Sequence, residues 1–368
     1  MTILFFTRLF YPHIGGVEKH VMEISERLFH KGEKIIIVCE KDNGNEKDRE
    51  VVNGIQVYRI GLGSHKRIKK YQIWSWLWKN KKLIENADII HCHDVFYWYL
   101  PFRFLYLRKR VYTTFHGYES YPVTKKAIAV RKISEKLSRG NICIGDFIRK
   151  WYHTKPTIVS YGGVDFNVIA DDGGARQSHR AGDCFPPRGL VSSKRRVVPP
   201  RNDENKDSAV FIGRLDEQTG ILTYNDAFKI LRKKIPQFVL LVVGDGKYRS
   251  LMDDKTNCIG FKNNPEKYFQ QYHYAFVSRY LSILEAIAAK RLVFAVYDDP
   301  VKEDYLKMAP YANWIVIEKD AEKLAVKVMY YMEHPEEEKK MIDSAYNWVL
   351  KQTWDHMTDL YEKLWKLK

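Results

Sequence analysis

The chain has 368 residues, enough for two or three domains of ordinary size, and 61 basic against 45 acidic side chains give it a formal net charge of +16. Hydrophobic residues make up 45% and aromatic residues 14%, which excludes a disordered polymer. No run of about 18 apolar residues occurs, so no membrane-spanning helix is predicted. Five scattered cysteines without a CxxC pair argue against a disulfide scaffold or a cysteine-rich zinc site and favour a reducing cytoplasm.

Short apolar runs alternate with amphipathic segments over the first 160 residues. The opening MTILFFTRLFYP is interrupted by Arg8 and lacks a small-residue cleavage site, which favours a first strand over a signal peptide. Segment 17–32 has a helical period and ends at Gly32. This alternation predicts a parallel sheet with helices on both faces. The predicted strands are 3–6, 34–39, 55–60, 88–92, 111–115, 141–144 and 157–161.

The same alternation restarts after residue 207. We therefore predict an α/β fold with two Rossmann-like doubly wound domains, residues 1–168 and 201–352, facing each other across a cleft. Ligands of such sheets bind beyond the carboxyl ends of the strands. A clear helical pattern covers 321–334. The strands predicted for the second domain are 208–213, 238–244, 257–261, 274–278, 291–296 and 313–318.

Residues 169–200 fit neither pattern. They contain five arginines and one lysine, are rich in Gly, Pro and Ser, and have no apolar period. This composition predicts a flexible insertion in the interdomain linker. A sequencing or frameshift artefact explains the same composition.

Two glycines open the first predicted helix. In Tyr11–Glu18, the pair Gly15 and Gly16 allows backbone N–H groups at a helix N-terminus to approach an anion such as a diphosphate. A tight strand–helix turn explains the same pair. A GxGxxG fingerprint is absent, which weakens the case for a dinucleotide dehydrogenase.

The segment His91-Cys92-His93-Asp94 ends a predicted strand. His91 and His93 share a face of that strand, but a metal site needs a third well-placed ligand and none is evident, so no metal is predicted. Asp94 is interpreted as a strand-end acid that faces the cleft. No carboxylate pair at a suggestive spacing is present, which disfavours a hydrolytic glycosidase.

These segments belong to a longer series of motifs whose order and spacing are specific. The series is GGVE (15–18), HCHD (91–94), TFHGYE (114–119), YGGVD (161–165), FIGRLD (211–216), VVGDG (242–246) and SILEAIAA (282–289). The chain thereby resembles the family 4 glycosyltransferases with the GT-B fold, over essentially its whole length except 169–200.

The resemblance implies a reaction and a division of labour. It implies transfer of a sugar from a nucleotide-diphosphate sugar to a glycan or lipid-linked acceptor, with retention of configuration and without a metal or other cofactor. The N-terminal domain would bind the acceptor and the C-terminal domain the nucleotide. Residues 353–368 resemble the family's terminal helix, which packs back on the first domain.

The resemblance also assigns roles to single residues. His116 matches the histidine that contacts the transferred sugar, and Arg214 the arginine that contacts the diphosphate, for which paired guanidinium donors are suited. Glu285 matches the glutamate that binds the ribose hydroxyls. In the donor-binding set, Gly15 and Gly16 join Arg214 at the phosphates, Gly244 and Gly246 lie beside the nucleoside, and Ile259 lies at the base. Ser282, Ile283 and Leu284 would precede the helix of Glu285 and offer N–H groups to phosphate. Glu18 and Asp94 lie on the acceptor side.

The donor side departs from the family pattern at two points. Thr219 stands where the family has a lysine before Gly220, and Val277 stands where it has the first carboxylate of an E-x7-E pattern. A four-residue deletion between Ser278 and the Glu285 helix explains the second departure. Lys290 or Arg291 would be candidates to replace the lost positive charge. A homologue that binds nucleotide-sugar or glycan without turnover is therefore a second hypothesis.

Positive charge is concentrated in two aromatic segments. Segment 65–82 has seven Lys or Arg and no acid, and on a helix its Ile73, Trp74, Leu77 and Trp78 form one apolar stripe; FRFLYLRKR follows at 102–110. The core face of a domain helix explains the stripe. An anionic membrane surface, with the protein peripheral at its cytoplasmic face, explains it equally. The net charge of +16 makes a basic nucleic-acid-binding scaffold a third hypothesis. No nucleic-acid-binding signature is visible, so no nucleic acid is expected as a partner.

Overall fold

The computed structural model describes residues 1–13, 15–42, 45–63, 68–169 and 206–366. They form two compact α/β units. Within the described residues, unit 1 comprises 1–160 together with the chain from Trp354 onward, and unit 2 comprises 161–353. Apart from Ile169, the predicted insertion 169–200 lies outside the described residues.

Unit 1 is built on an eight-stranded sheet. Its strands are β1 (Thr2–Phe6), β2 (Lys34–Glu40), β3 (Arg49–Val52), β4 (Ile55–Ile60), β5 (Ile89–His93), β6 (Arg110–Phe115), β7 (Gly140–Ile144) and β8 (Ile158–Ser160). They lie in the order β3-β4-β2-β1-β5-β6-β7-β8, and among these strands only β3 and β4 pair antiparallel. The sequence pattern does not predict β3, whose four residues are exposed or half-buried at the edge. The central strands are apolar along their length because helices cover both faces.

The last helix of the chain, Trp354–Lys366, belongs to unit 1 and lies against its first helix. Lys31 pairs with Asp359 at 3.2 Å and with Glu362 at 3.1 Å. The largest side chains on the buried face of this last helix recur mainly at three- and four-residue steps, as in an amphipathic helix. They are Trp354, Met357, Tyr361, Leu364 and Trp365. The other helices of unit 1 are α1 (Gly16–His30), α2 (Lys69–Lys79), α3 (Lys82–Glu85), α4 (Phe96–Leu105), α5 (Lys125–Leu137) and α6 (Phe147–Tyr152).

Unit 2 is built on a six-stranded parallel sheet. Its helices are α7 (Phe166–Ile169), α8 (Ile221–Lys234), α9 (Tyr280–Ala288), α10 (Pro300–Lys307), α11 (Ala321–Glu333) and α12 (Pro335–Val349). Its strands are β9 (Ser208–Ile212), β10 (Val239–Val243), β11 (Asn257–Cys258), β12 (Tyr274–Phe276), β13 (Leu292–Val296) and β14 (Val316–Glu318), in the order β11-β10-β9-β12-β13-β14. Its core is rich in stacked and edge-on aromatic rings, such as Tyr224 on Phe276 at 5.3 Å.

Both sheets reverse their strand order at the first strand of the unit. β1 lies between β2 and β5, and β9 lies between β10 and β12. This is the doubly wound Rossmann order, and crevices for ligands form at the carboxyl ends of the strands where the order reverses. The predicted α/β fold with two Rossmann-like units is confirmed. Ligand crevices are therefore expected beside the residues that follow β1, β5, β9 and β12.

Candidate active site

In unit 1, Asp94 and His116 meet at the carboxyl ends of β5 and β6. Asp94 has a left-handed backbone, φ 58°, and its N–H donates to the carbonyl oxygen of Thr114 at 3.0 Å. Its carboxylate accepts the backbone N–H of His116, at 3.2 Å from either oxygen. Desolvation by the surrounding protein raises the pKa of Asp94 to about 6, although the Arg131 guanidinium opposes the shift. His116, the predicted catalytic residue, and Asp94, one of the two residues predicted on the acceptor side, are therefore direct neighbours.

The imidazole of His116 belongs to a group of histidines. Its Nε2 lies 2.9 Å from Nδ1 of His93, and the His20 ring of α1 meets it edge-on with centroids 4.7 Å apart. Burial, the neighbouring His91 and the Arg131 charge lower the pKa of His116 to about 3. The ring is therefore neutral at physiological pH and acts through hydrogen bonds rather than as a fixed cation.

Arg131 is a residue that sequence reasoning missed. It lies in α5 with 4% of its surface exposed, donates to the Gly117 carbonyl oxygen and to the Glu119 carboxylate, and sits 3.7 Å from the Tyr152 ring centroid. It sets the electrostatic background of Asp94 and His116. In sequence it is one of several basic residues of an amphipathic helix, so no local pattern distinguishes it.

The two glycines that follow β1 stand at the start of α1. Gly15 is the N-cap residue and Gly16 the first helical residue. The Glu18 carboxylate lies against Gly15, where a Cβ would collide with it, and pairs with His13 Nδ1 at 3.4 Å. A donor phosphate at Gly15 and Gly16 would therefore share this helix N-terminus with the carboxylate of Glu18. The binding of donor phosphate by the two glycines stays a prediction.

His91 lies in the core beside this group. Its Nε2 is 2.7 Å from Thr114 Oγ1, and its Nδ1 accepts the indole N–H of Trp365 at 3.1 Å. Both ring nitrogens thus have protein partners. In the part of the chain that the structure describes, no three His, Cys, Asp or Glu side chains are arranged to hold a metal ion.

In unit 2, Arg214 lies in a turn directly after β9. Its guanidinium is half exposed and contacts Asp216 at 3.1 Å and Gln218 at 3.4 Å. The hydroxyl of Thr219 donates to the carbonyl oxygens of Arg214 and Asp216, at 2.8 and 2.9 Å. The residue that replaces the family lysine therefore fixes the backbone of the arginine turn.

Gly244 and Gly246 pack directly on this turn. Gly244 has φ +150°, and a Cβ there would overlap the carbonyl oxygen of Gly213. Gly246 has φ +156°, and a Cβ there would lie 2.6 Å from the carbonyl oxygen of Leu215. Only glycine lets the turns after β9 and β10 approach this closely, because any side chain would displace the Arg214 backbone.

The N-terminus of α9 reaches the same place. Ser282 Oγ donates to the carbonyl oxygen of Ile212, the last residue of β9, at 3.3 Å. Ile259 follows β11, and its N–H donates to Val242 of β10 at 3.0 Å. The structure of unit 2 therefore brings Arg214, Gly244, Gly246 and Ser282 together at the point where its strand order reverses, with Ile259 on the adjoining strand end.

Comparison with known proteins agrees with this architecture. The family model described as Glycosyltransferase Family 4 matches residues 14–168, and that of Glycosyl transferases group 1 matches 194–348. The chain is a family 4 glycosyltransferase with the GT-B fold. Sucrose-phosphate synthase from Thermosynechococcus elongatus superposes over 100% of both chains with a TM-score of 0.72 at 16% identity. A TarM variant from S. aureus, in complex with fondaparinux, alpha-GlcNAc-glycerol and UDP, superposes over 99% of each chain with a TM-score of 0.70 at 12% identity.

A sequence relative covers a shorter stretch. One chain of human phosphatidylinositol N-acetylglucosaminyltransferase is 31% identical over 93 residues, which is 24% of the present chain and 19% of the relative. The match therefore spans about a fifth of that protein's length.

One predicted feature of the glycosyltransferase is wrong in detail. Ser282, Ile283 and Leu284 do not precede a helix but lie inside α9, which begins at Tyr280. The N–H of Ile283 donates to the Arg279 carbonyl oxygen at 2.9 Å, and that of Leu284, the fifth helical residue, is likewise intrahelical. The side chains of Ile283 and Leu284 are buried in the core. The amide groups suited to a phosphate are those of the first turn, at Leu281 and Ser282, and Glu285 lies buried one turn further on.

The shortened connection before α9 is closed by side-chain bonds. Ser278 Oγ contacts Tyr224 Oη at 2.5 Å and accepts the N–H of Val296 at 2.9 Å. The Ser278 carbonyl oxygen accepts a hydrogen bond from the ammonium of Lys302, which is 2% exposed. Burial and the nearby Arg279 lower the pKa of Lys302 well below its ordinary range.

The structure shows what surrounds the basic residues that could replace the missing family lysine. Arg291 is buried and donates to the carbonyl oxygens of Phe269 and Gln270, so it serves the fold, and Lys290 lies over the Tyr346 ring at 4.7 Å. Lys302 instead lines a cavity of about 230 Å³ beside Gly220. Its position in α10 gave no sequence signal, because it is distant along the chain from every motif.

The basic aromatic segment is divided between core and surface. Residues 65–67 lie outside the described residues. In α2, Ile73 and Leu77 are buried, and the Trp74 indole N–H donates to Tyr97 at 3.0 Å. The predicted stripe is thus mostly core, and of its four residues only Trp78 is exposed. Among the described residues, no helix has the length and apolarity to cross a bilayer.

Proposed function

We propose that this glycosyltransferase moves a sugar from a nucleotide-diphosphate sugar to a glycan or lipid-linked acceptor, with retention of configuration and without a metal ion. The observation that carries the proposal is the convergence of Arg214 and the first turn of α9 at the carboxyl end of the unit 2 sheet. A guanidinium fork and the N-terminus of a helix are both suited to a diphosphate.

The charges that develop during transfer match the two sets of residues. Cleavage of the sugar–phosphate bond leaves negative charge on the diphosphate, which Arg214 and the α9 dipole would stabilise. Positive charge develops on the sugar ring, and a neutral His116 adds no opposing cation there. Asp94, beside His116, would face the acceptor hydroxyl as a carboxylate at neutral pH, because a pKa of about 6 leaves it mostly ionised.

The donor and acceptor classes are proposed from the relatives. The human relative is named as a phosphatidylinositol N-acetylglucosaminyltransferase, and the TarM complex contains UDP. UDP-N-acetylglucosamine is therefore the first donor to test, and a lipid-linked acceptor the first acceptor class. A role in polysaccharide or glycolipid biosynthesis follows from this choice.

A second candidate function rests on the donor side itself. Thr219 contributes a hydroxyl to the backbone where the family has a cation, and Val277 contributes no carboxylate. A protein that binds the nucleotide-sugar without turnover is the corresponding alternative.

One experiment separates the candidates. Thermal unfolding is measured with UDP, GDP, ADP and their sugar conjugates in the presence of EDTA, and saturating ligand is expected to raise the melting temperature by mass action. The stabilising conjugate is then incubated with the protein, and the anomeric proton of the product is followed by NMR. Turnover with retention supports the transferase, binding without turnover supports the alternative, and no stabilisation by any nucleotide contradicts both.

A peripheral position at the cytoplasmic face of a membrane is part of the proposal. Ile68, Tyr71 and Trp78 are 45%, 56% and 57% exposed, at spacings that form one face of α2. The Trp78 ring lies 6.3 Å from that of Phe102, next to the exposed end of α4. The exposed apolar side chains at that end are Phe104, Leu105 and Leu107, and the cations that flank them are Lys79, Lys81, Lys82 and Arg108. Together these residues form a surface suited to anionic lipid.

This surface predicts lipid-dependent sedimentation. The double variant Trp78→Ser, Leu107→Ser is expected to bind phosphatidylglycerol-containing vesicles at least about tenfold more weakly than the wild type, because two apolar side chains no longer enter the interface. Val326→Ser, which removes an equally exposed apolar side chain from unit 2, is the matched control. Equal sedimentation of all three proteins, or binding to pure phosphatidylcholine alone, would contradict the docking surface.

A further inference from the structure

The last helix closes a buried group of four histidines in unit 1. His20, His91 and His93 are at most 2% exposed, and His116 is half-buried beside them. The group lies between the sheet and the last helix, whose Tyr361 ring is 4.8 Å from His91 and 6.2 Å from His93. Burial lowers the pKa of all four imidazoles, so each is neutral and carries one ring hydrogen.

The first hydrogen position follows from Trp365. An indole N–H only donates, and it lies 3.1 Å from Nδ1 of His91. His91 Nδ1 must therefore accept, which places its hydrogen on Nε2. That nitrogen then donates to Thr114 Oγ1 at 2.7 Å.

The next two positions follow from the hydroxyls. Tyr361 Oη lies 2.9 Å from Thr114 Oγ1 and 2.9 Å from His20 Nε2. If Thr114 donates to Tyr361 and Tyr361 donates to His20, both hydroxyl hydrogens in this series of hydrogen bonds have an acceptor. The reverse direction would leave the Thr114 hydrogen unpaired at a residue with no exposed surface. The favoured direction leaves His20 with its hydrogen on Nδ1.

The final pair includes His116. His93 Nδ1 and His116 Nε2 are 2.9 Å apart, and the buried Nε2 of His93 has no hydrogen-bond partner among the described residues. A buried nitrogen without a partner is less costly as an acceptor than as an N–H donor. His93 therefore donates from Nδ1, His116 accepts at Nε2, and its hydrogen is on Nδ1. The remaining polar group of His116 is thus an N–H donor, suited to a sugar hydroxyl.

We propose that the last helix positions His116. Tyr361 and Trp365 fix the tautomers and ring orientations of His20 and His91, whose rings pack against His116 (centroids 4.7 Å apart) and His93 (5.0 Å), and the bond from His93 then holds His116 with its hydrogen on Nδ1. The proposal rests on the sugar-contacting role proposed above for His116. Tyr361 and Trp365 are positioning residues, because they act on His116 through other side chains.

The test compares Tyr361→Phe and Trp365→Phe with the wild type, using histidine-¹⁵N-labelled full-length protein and long-range ¹H–¹⁵N NMR. In the wild type the hydrogen is expected on Nε2 of His91 and on Nδ1 of the other three rings. Each variant removes one donor and keeps an aromatic ring, so the His116 signals are expected to shift or double. With UDP-N-acetylglucosamine as the probe, kcat is expected to fall about tenfold while KM changes less than about twofold.

Tyr112→Phe is the matched control. Tyr112 also loses a buried hydroxyl bonded to the last helix, at the Trp365 carbonyl oxygen (3.2 Å), but this hydroxyl lies outside the chain of hydrogen bonds. Unchanged His116 signals in both test variants, or equal changes in Tyr112→Phe, would overturn the proposal. If the wild type turns over no donor, that result counts against the proposed function, and the His116 signals still decide this one.

Discussion

Replacing Arg214 by alanine is expected to lower kcat/KM for the nucleotide-sugar about 100- to 1,000-fold. The reason is the charge on the departing diphosphate, which a paired guanidinium donor stabilises more in the transition state than in the ground state. A loss of this size corresponds to about 3–4 kcal/mol of transition-state stabilisation. The stabilisation of the fold by the nucleotide should fall with it, since the same contact holds the bound diphosphate.

The measurement is steady-state transfer together with nucleotide-dependent thermal unfolding. Arg232→Ala is the matched control, because Arg232 lies in the last turn of α8, at the other end of the sheet from the Arg214 turn. Arg214→Lys keeps the charge but loses the fork and should recover only part of the activity. An Arg214→Ala protein with wild-type kcat/KM would remove the diphosphate site from this turn.

Acid is expected to unfold unit 1 steeply below pH 6.5. Burial holds the pKa of His20, His91 and His93 well below 6.5, and that of His116 at about 3, so the unfolded chain binds more protons than the folded one throughout this window. Stability is therefore complete above pH 6.5 and is lost as the pH falls. At about pH 5, keeping each buried histidine neutral lowers the free energy of unfolding by about 2 kcal/mol relative to pH 6.5. The sum over four histidines approaches the whole free energy of unfolding of an ordinary domain.

The opposing group is Asp94. Its pKa is raised to about 6, so the folded protein takes up a proton here before the unfolded chain does, which reduces the slope between pH 6 and 4 without reversing it.

Urea unfolding followed by tryptophan fluorescence at a series of pH values measures the acid effect, since Trp354 and Trp365 report on unit 1. His20→Gln should lower the pH dependence by about one proton. His356→Gln, on the exposed face of the same helix as these tryptophans, should leave it unchanged. A stability independent of pH between about 7 and 5 would show that the histidines are not buried together.

The sequence predicted the sheets better than their edges. Continuous apolar runs such as ILFF and KIIIVC identified the central strands, because a strand buried on both faces has no polar alternation. β3 was missed since an edge strand of four half-exposed residues resembles a loop. The start of α9 was placed too late: the helix begins at Tyr280 and already contains Ser282, Ile283 and Leu284.

The candidate site shows the same division. Motifs close to a strand end placed His116, Asp94 and Arg214 at carboxyl ends, where the structure has them. The packing of Gly244 and Gly246 on the Arg214 turn is visible only in the structure. Tyr361 and Trp365 were beyond such reasoning, since each bonds a residue of β5 or β6 from the far end of the chain. Their helical spacing predicted a buried face but not what that face covers.

The sequence by itself determined the α/β architecture, the family and the residue types available for a diphosphate and a sugar, because apolar periodicity and local motifs are properties of contiguous chain. Only the tertiary structure decided that Thr219 fixes a turn, that Lys302 rather than Arg291 lies beside Gly220, and that four histidines share one buried space under the last helix. Those outcomes depend on burial and on hydrogen bonds between distant segments, and both arise only when the chain is folded.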